Sequence, residues 1–173
     1  LVEYPRLIRL NPFARHKTRG NGGVALKILN DDKASLAKNI VLDEVEKLSM
    51  FDCDNTNPGV IFYDGEISSE MQDYAFRAIY EFITIDEAEE FGKSVGCEIH
   101  KFKKGRGIIG SIASISLPLS DYTFELLAYR APENFGSPRK IDYESVYEMD
   151  WQTFPDTFEN IDYSEDRKST RLN

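Results

Sequence analysis

Cysteine and histidine are scarce, with two of each in a chain of 173 residues. Cys53 and Cys97 cannot build a disulfide framework or a cysteine-rich zinc site, so a reducing, cytoplasmic setting is expected. His16 and His100 are too few to argue a Ser-His-Asp or Cys-His arrangement, and both read most simply as non-catalytic. No apolar run approaches the ~20 residues that span a bilayer, and no membrane partner is expected. The opening Leu1-Val2-Glu3-Tyr4-Pro5 has neither the basic region nor the apolar stretch of a secretory signal. With no initiator Met, the true amino terminus is expected upstream. Positive charge is also in deficit, the net charge being −9. That argues against a broad nucleic-acid face, which needs clustered Lys and Arg.

What is present modifies that last exclusion. Residues 1–30 carry six basic side chains against one acid, and residues 97–110 carry four against one. The acids fill the remaining two stretches. Positive charge therefore gathers at two places, both rich in glycine, a pattern suited to discrete anion sites.

With 41% hydrophobic and 12% aromatic residues, a packed globular fold is expected rather than disorder. Residues 6–10 and 24–29 read as strands separated by a polar, glycine-bearing loop. Asp32 is positioned to cap a helix whose apolar face uses Leu36, Ala37, Ile40, Val41, Val45 and Leu48. A short strand begins at Gly59. Ser68 is placed to cap a helix with apolar residues at 71, 74, 75, 78, 79 and 82. Thr84 and Glu87 have the spacing of a capping box opening another helix, which ends near Gly92 or Gly96. Residues 97–102 read as a strand, 107–116 as a helix of small residues, 122–130 as a strand and 142–151 as a helix. Trp151 is expected in the core. No internal repeat is evident. This mixed order favours an α+β or split βαβ arrangement over a doubly wound sheet.

Three motifs have the residue types for chemistry. In Lys17-Thr18-Arg19-Gly20-Asn21-Gly22-Gly23, glycines let the backbone approach a ligand while cations supply charge for phosphate. A plain basic loop between two strands is the alternative. It is not a Walker motif, because Lys precedes the glycines and no helix opens directly after them.

The run Gly105-Arg106-Gly107-Ile108-Ile109-Gly110 matches G-x-G-x-x-G literally, with Glu125 about twenty residues on. The strand before it is not the buried apolar run of a central parallel strand, which argues against a dinucleotide site. Glycines at a helix amino terminus beside Arg106 still suit a phosphate, and Gly107 and Gly110 equally suit close helix packing. Third, Asp52-Cys53-Asp54-Asn55-Thr56-Asn57-Pro58-Gly59 clusters carboxylates and amides fit for a cation or for a solvated turn.

Together these stretches resemble the archaeal tRNA-isoleucine agmatidine synthetases. The resemblance lies in Pro5-Arg-Leu-Ile-Arg-Leu-Asn-Pro12, the 17–22 loop, Asn55-Thr-Asn-Pro-Gly59 and the 105–110 run. It continues through Asp121 to Arg130, Ser137-Pro-Arg139 and Pro155 to Asp162, in order along residues 5–162. It implies the carboxyl-terminal part of a kinase-like α/β domain (1–52), then a ferredoxin-like, split βαβ domain (53–162); residues 163–173 lie outside the resemblance and read as a tail whose end breaks the preceding pattern. It also implies ATP-dependent phosphorylation of the wobble cytidine of CAU-anticodon isoleucine tRNA at its C2 oxygen. The amine of agmatine then displaces that phosphate.

ATP and Mg2+ are the implied cofactors, tRNA and agmatine the partners, and no DNA is involved. Lys17, Arg19, Gly20, Asn21, Gly22, Gly105, Arg106, Gly107 and Gly110 are the implied phosphate or RNA contacts. Asp54, Asn55, Asn57, Asp121 and Glu125 are candidates for agmatine or ligand contact, since a dication needs carboxylate partners. No metal ligand is assigned. The family's aspartate-rich motif and phosphoacceptor threonine are absent here, so an isolated chain is expected to be inactive. Two other readings stay open: a non-catalytic ferredoxin-like ligand- or RNA-binding module, and a nucleotide-dependent small-molecule kinase.

Overall fold

The computed structural model describes residues 1–173 except 18–19, 30–31, 121, 123, 125–131, 135, 139, 141 and 156–173. The fold is α+β, and it divides into two compact units, Leu1–Pro118 and Leu119–Asn173.

The first unit contains β1 (Arg6–Arg9), β2 (Gly22–Ala25), α1 (Ala34–Leu48), β3 (Gly59–Phe62), α2 (Ser69–Tyr80), α3 (Ile85–Ser94), β4 (Glu98–Lys101) and α4 (Ile108–Ser116). β1 pairs antiparallel with β2, Arg6 opposite Ala25 and Arg9 opposite Gly22. β3 pairs antiparallel with β4, Gly59 opposite Lys101 and Phe62 opposite Glu98. β2 begins two residues earlier than its apolar pattern suggests, because Gly22 and Gly23 enter the ladder. Both pairs are antiparallel, so the strand before Gly105 is not the central parallel strand of a dinucleotide fold.

α4 is the centre of this unit and packs against α2, α3 and all four strands. Its sequence explains why: Ile108, Ile112 and Ala113 are fully buried, with Gly110 among them. Each buried Ile contributes roughly 1.5–3 kcal/mol relative to exposure. The buried serines need partners and find them one turn back, Ser114 Oγ donating to Gly110 O at 2.7 Å and Ser116 Oγ to Ile112 O at 2.6 Å. Met71, Tyr74, Ala75 and Ala78 of α2 and Ala88 of α3 complete this core. Residues on both sides of position 52 share it, since Ile8, Leu10 and Ala25 are buried in the same unit as Ile61.

The helix starts at Ser68 and Thr84 form as their sequence predicts. Ser68 Oγ accepts the Met71 N–H at 3.3 Å and Thr84 Oγ1 accepts the Glu87 N–H at 3.1 Å, each cap being worth ~1 kcal/mol. The Glu87 carboxylate pairs with Arg77 at 2.6 Å.

Three expectations are corrected. The cap of α1 is Lys33, with no side-chain bond, rather than Asp32. The apolar stripe of α1 is not buried either: Leu36, Ile40 and Leu48 are exposed, and Lys38 of this helix pairs with Glu98 of β4 and lies 5.2 Å from the Phe62 ring centre. In the second unit, α5 (Tyr143–Thr153) is capped by Asp142 Oδ1, which accepts from the Glu144 and Ser145 N–H groups. It buries no residue, and Trp151 is 80% exposed rather than core. The expected strand 122–130 lies largely outside the described residues.

Candidate phosphate-binding loops

The polar loop between β1 and β2 is tied to β1 at its base. Arg9 Nη1 donates to Gly20 O at 3.2 Å, and the Leu10 N–H donates to Asn21 O at 2.8 Å. The Asn21 side chain donates to Asn11 O at 2.5 Å. Its amide is therefore occupied within the loop, while Lys17 and Gly20 are exposed. Arg19 lies outside the described residues.

The second loop connects β4 to α4. Gly105 has φ +64°, and a side chain there would also strike the Lys101 stem at 2.4 Å. Only glycine suits that position. The loop amides are used internally: Gly107 N–H donates to Asn57 O at 2.9 Å, Ile108 N–H to Gly105 O at 3.1 Å and Ile109 N–H to Arg106 O at 3.3 Å. A ligand here meets side-chain charge and the positive end of α4 more than a nest of free amides. Arg106 is half-buried and Lys104 exposed.

The two glycine runs meet. A Cβ on Gly23 would fall 2.5 Å from Gly110 O, and a Cβ on Gly110 would meet Leu10 Cδ1 at 2.9 Å and Gly23 Cα at 3.8 Å. β2 thus crosses the first turn of α4 at backbone contact. Gly107 makes a similar approach to Gly59, so Gly107 and Gly110 both serve close packing. Several cations elsewhere in the first unit are paired, Arg6 with Glu3, Lys38 with Glu98, Arg77 with Glu81 and Glu87, and Lys93 and Lys101 with Glu89, whereas Arg15 and Lys27 make no ion pair among the described residues. Lys17, Lys104 and Arg106 make no ion pair among the described residues.

The acidic turn is joined to the second loop through Asn57, which is buried and bonded, whereas Asp54 and Asn55 are exposed. Asp121 and Glu125 lie outside the described residues. Among the described residues no group of three or more His, Cys, Asp or Glu side chains forms a metal-binding set. These residues by themselves do not fit a Mg2+ site.

Sequence reasoning missed Lys103 and Lys104 as individual contributors, although their place directly before Gly105 was the available signal. It also missed a cleft of about 270 Å3 lined by Glu70, Asp73, Tyr74, Arg77, Glu87 and Phe91. Tyr74 and Phe91 stack there with ring centres 4.6 Å apart, and burial first, then the Glu87 charge, raises the Tyr74 hydroxyl well above its ordinary range. None of the phosphate or ligand candidates named from the sequence lines this cleft, although Glu87 was read there as part of a helix cap.

Fold and loops define an α+β protein with cations that are unpaired among the described residues, on glycine-built loops against one buried helix. Residues 105–169 match the family model described as the TiaS FLD domain. The chain is 46% identical over 164 residues to TiaS of Thermococcus sibiricus, a 2-agmatinylcytidine synthetase of isoleucine tRNA, across 94% of this chain and 38% of that protein. It is similar to the crystal structure of TiaS in complex with its isoleucine tRNA and ATP, with a TM-score of 0.73 and 41% identity over 94% of this chain and 39% of that one. A complex of TiaS with the tRNA, AMPCPP and agmatine gives a TM-score of 0.70 and 38% identity over 94% and 39%. Over the segment it spans, the chain is similar to isoleucine-tRNA 2-agmatinylcytidine synthetases. That segment is about 38% of the length of the curated relative.

Proposed function

We propose that this chain is part of an ATP-dependent ligase that joins agmatine to C2 of the wobble cytidine in isoleucine tRNA bearing a CAU anticodon. The reading is supported by likeness along 94% of the chain to proteins of that name, solved with the isoleucine tRNA, ATP or its analogue, and agmatine. Its carrying observation is the meeting of the 17–23 and 105–110 runs at Gly23 and Gly110, each run bearing a cation unpaired among the described residues.

In this reading Lys17, Arg19 and Arg106 neutralise phosphate charge, and the glycines let β2 and the start of α4 meet at backbone contact. Phosphoryl transfer is chiefly a matter of positioning and charge neutralisation. The γ-phosphoryl passes to the C2 oxygen of cytidine, and the amine then displaces phosphate at C2. Asp54, Asp121 and Glu125 are proposed carboxylate partners for the guanidinium of agmatine. The division into a kinase-like part over 1–52 and a ferredoxin-like part over 53–162 belongs to the same proposal. So do a cytoplasmic setting and the use of Mg2+, with ligands from outside the described residues.

The test places this chain in the matching segment of the Thermococcus sibiricus relative and measures ATP consumption with agmatine, with and without the tRNA. Consumption that requires both agmatine and tRNA is expected, and the 173-residue chain alone is expected to form no agmatidine. Consumption indifferent to tRNA would favour a small-molecule kinase. No consumption, together with tRNA binding, would favour a non-catalytic module.

A further inference from the structure

Two residues of the 103–105 loop adopt left-handed backbone conformations, Lys103 at φ +54° and Gly105 at φ +64°. Glycine accepts this freely, but a lysine rarely does, and such a residue persists only where its surroundings hold it. Here the holding groups belong to the turn of residues 51–58. Lys103 Nζ donates to Phe51 O at 3.0 Å and to Cys53 O at 2.8 Å.

Asn57 is the centre of that attachment. It is only 8% exposed. Its Nδ2 donates to Asp54 O at 3.1 Å, which fixes the amide, and its Oδ1 accepts the Lys104 N–H at 3.2 Å. Its carbonyl accepts the Gly107 N–H at 2.9 Å. One buried residue thus anchors the backbone on both sides of Arg106. The adjoining Pro58 carbonyl accepts the Phe102 N–H at 3.0 Å, and Gly59 closes against Gly107. Arg106, inside this clasp, is half-buried with no ion pair among the described residues. An uncompensated cation on a pinned backbone loses little freedom on meeting an anion, which is how preorganisation raises affinity.

We infer that Asn57 is a positioning residue: it acts through the backbone of residues 104–107 to hold Arg106 ready for the phosphates of a nucleotide. The inference rests on the proposed reading of this loop as a phosphate site. It replaces direct ligand contact as the role of Asn57, because the residue is buried and its amide is turned to partners within the protein.

The test uses the chain itself and titrates ATP, with adenosine as the phosphate-free probe, into Asn57→Ala, Arg106→Ala and the double variant. Asn57→Ala is expected to weaken ATP about tenfold, as losing one well-placed charged contact does, with adenosine affinity unchanged. The double variant is expected to bind ATP no more weakly than Arg106→Ala alone, because residues acting as one unit are non-additive. Hydrogen exchange at the Lys104 and Gly107 amides is expected to quicken in Asn57→Ala while the far-UV circular dichroism holds. Should Asn57→Ala not fold, Asn57→Ser, which retains a hydroxyl at the site, carries the same comparison. Additive losses, or unaltered ATP affinity in the Asn57 variant while Arg106→Ala binds weakly, would overturn the positioning role and leave the phosphate site standing. If the unsubstituted chain does not bind ATP, or if Arg106→Ala binds it as well as the parent, the phosphate reading falls and this inference falls with it.

Discussion

Gly59 and Gly107 lie backbone against backbone: a Cβ on Gly59 would fall 2.3 Å from the Ile108 nitrogen, and one on Gly107 would fall 2.4 Å from the Gly59 nitrogen. Neither obstacle is a flexible side chain that can swing away. β3 and the start of α4 must separate to admit a methyl group, and overpacking of this kind costs about 1–3 kcal/mol. Gly59→Ala and Gly107→Ala should each lower the unfolding free energy measured in urea by that amount, and together they should fall short of the sum, because one separation of β3 from α4 makes room for both methyl groups. Additive losses would show that the two glycines are not in one contact.

The contact of β2 with α4 predicts a ranking. A Cβ on Gly23 would meet Ser114 Oγ at 2.1 Å and the Gly110 carbonyl at 2.5 Å, whereas one on Gly110 would first meet the Leu10 methyl at 2.9 Å. A carbonyl in a buried helix cannot yield, but a leucine methyl can rotate. Gly23→Ala should therefore cost about 2–3 kcal/mol and Gly110→Ala about 1 kcal/mol. Denaturant unfolding of the two variants that gave the opposite order would refute the close crossing of β2 over α4.

How much of this was legible beforehand depended on the range of the interaction involved. Ser68 and Thr84 act within three residues, and their caps were readable as patterns. Asp32 failed as a cap although it has the right chemistry, because α1 starts after Lys33. The stripe of α1 was read as an apolar face from its spacing and Trp151 as core from its residue type, but burial depends on what the rest of the fold brings against them. The glycines of residues 105–110 were visible as a motif. That Gly107 meets Gly59, and Gly110 meets Gly23, was not, since each partner is more than forty residues away. Asn57 looked like a ligand contact because an exposed turn was expected, and its burial is set by the 103–107 loop closing over it.

The two cysteines should differ sharply in reactivity. Cys53 is exposed, and the Asn55 N–H first and then the Thr56 hydroxyl lower its thiol below the ordinary value. Cys97 is buried, and burial pushes its thiol up to about 11. The thiolate is the reacting form, so with iodoacetamide at pH 8 Cys53 should be modified first, and Cys97 on the order of 100-fold more slowly unless the fold opens. Because the Cys97 value is raised on folding, the protonated thiol favours the folded state below its unfolded value. That advantage is lost as pH rises towards 11. Equal labelling of both thiols in the native chain would contradict the burial of Cys97 in the α3–β4 connection.

Acid should test the clasp between α3 and β4. Glu89 bonds to Lys101 across the two elements and to Lys93 at 2.7 Å along its own helix. Lys101 first, then Lys93, holds its carboxyl at about 2, against an ordinary value of 4.5. A carboxylate whose value is depressed on folding stabilises the native state above its unfolded value. The contribution falls away as pH drops from about 4.5 towards 2. The pair is solvent-exposed, so its effect is modest and sensitive to salt. Lys101→Met should keep the aliphatic stem over Gly105 while removing the charge, and so flatten the fall of the urea midpoint across that pH window at low ionic strength. Lys93→Met should flatten it less, because an ion pair within one helix turn persists in part when the tertiary structure is lost. If the two variants show the same acid profile as the parent chain, the Glu89–Lys101 bond does not hold α3 to β4 in solution.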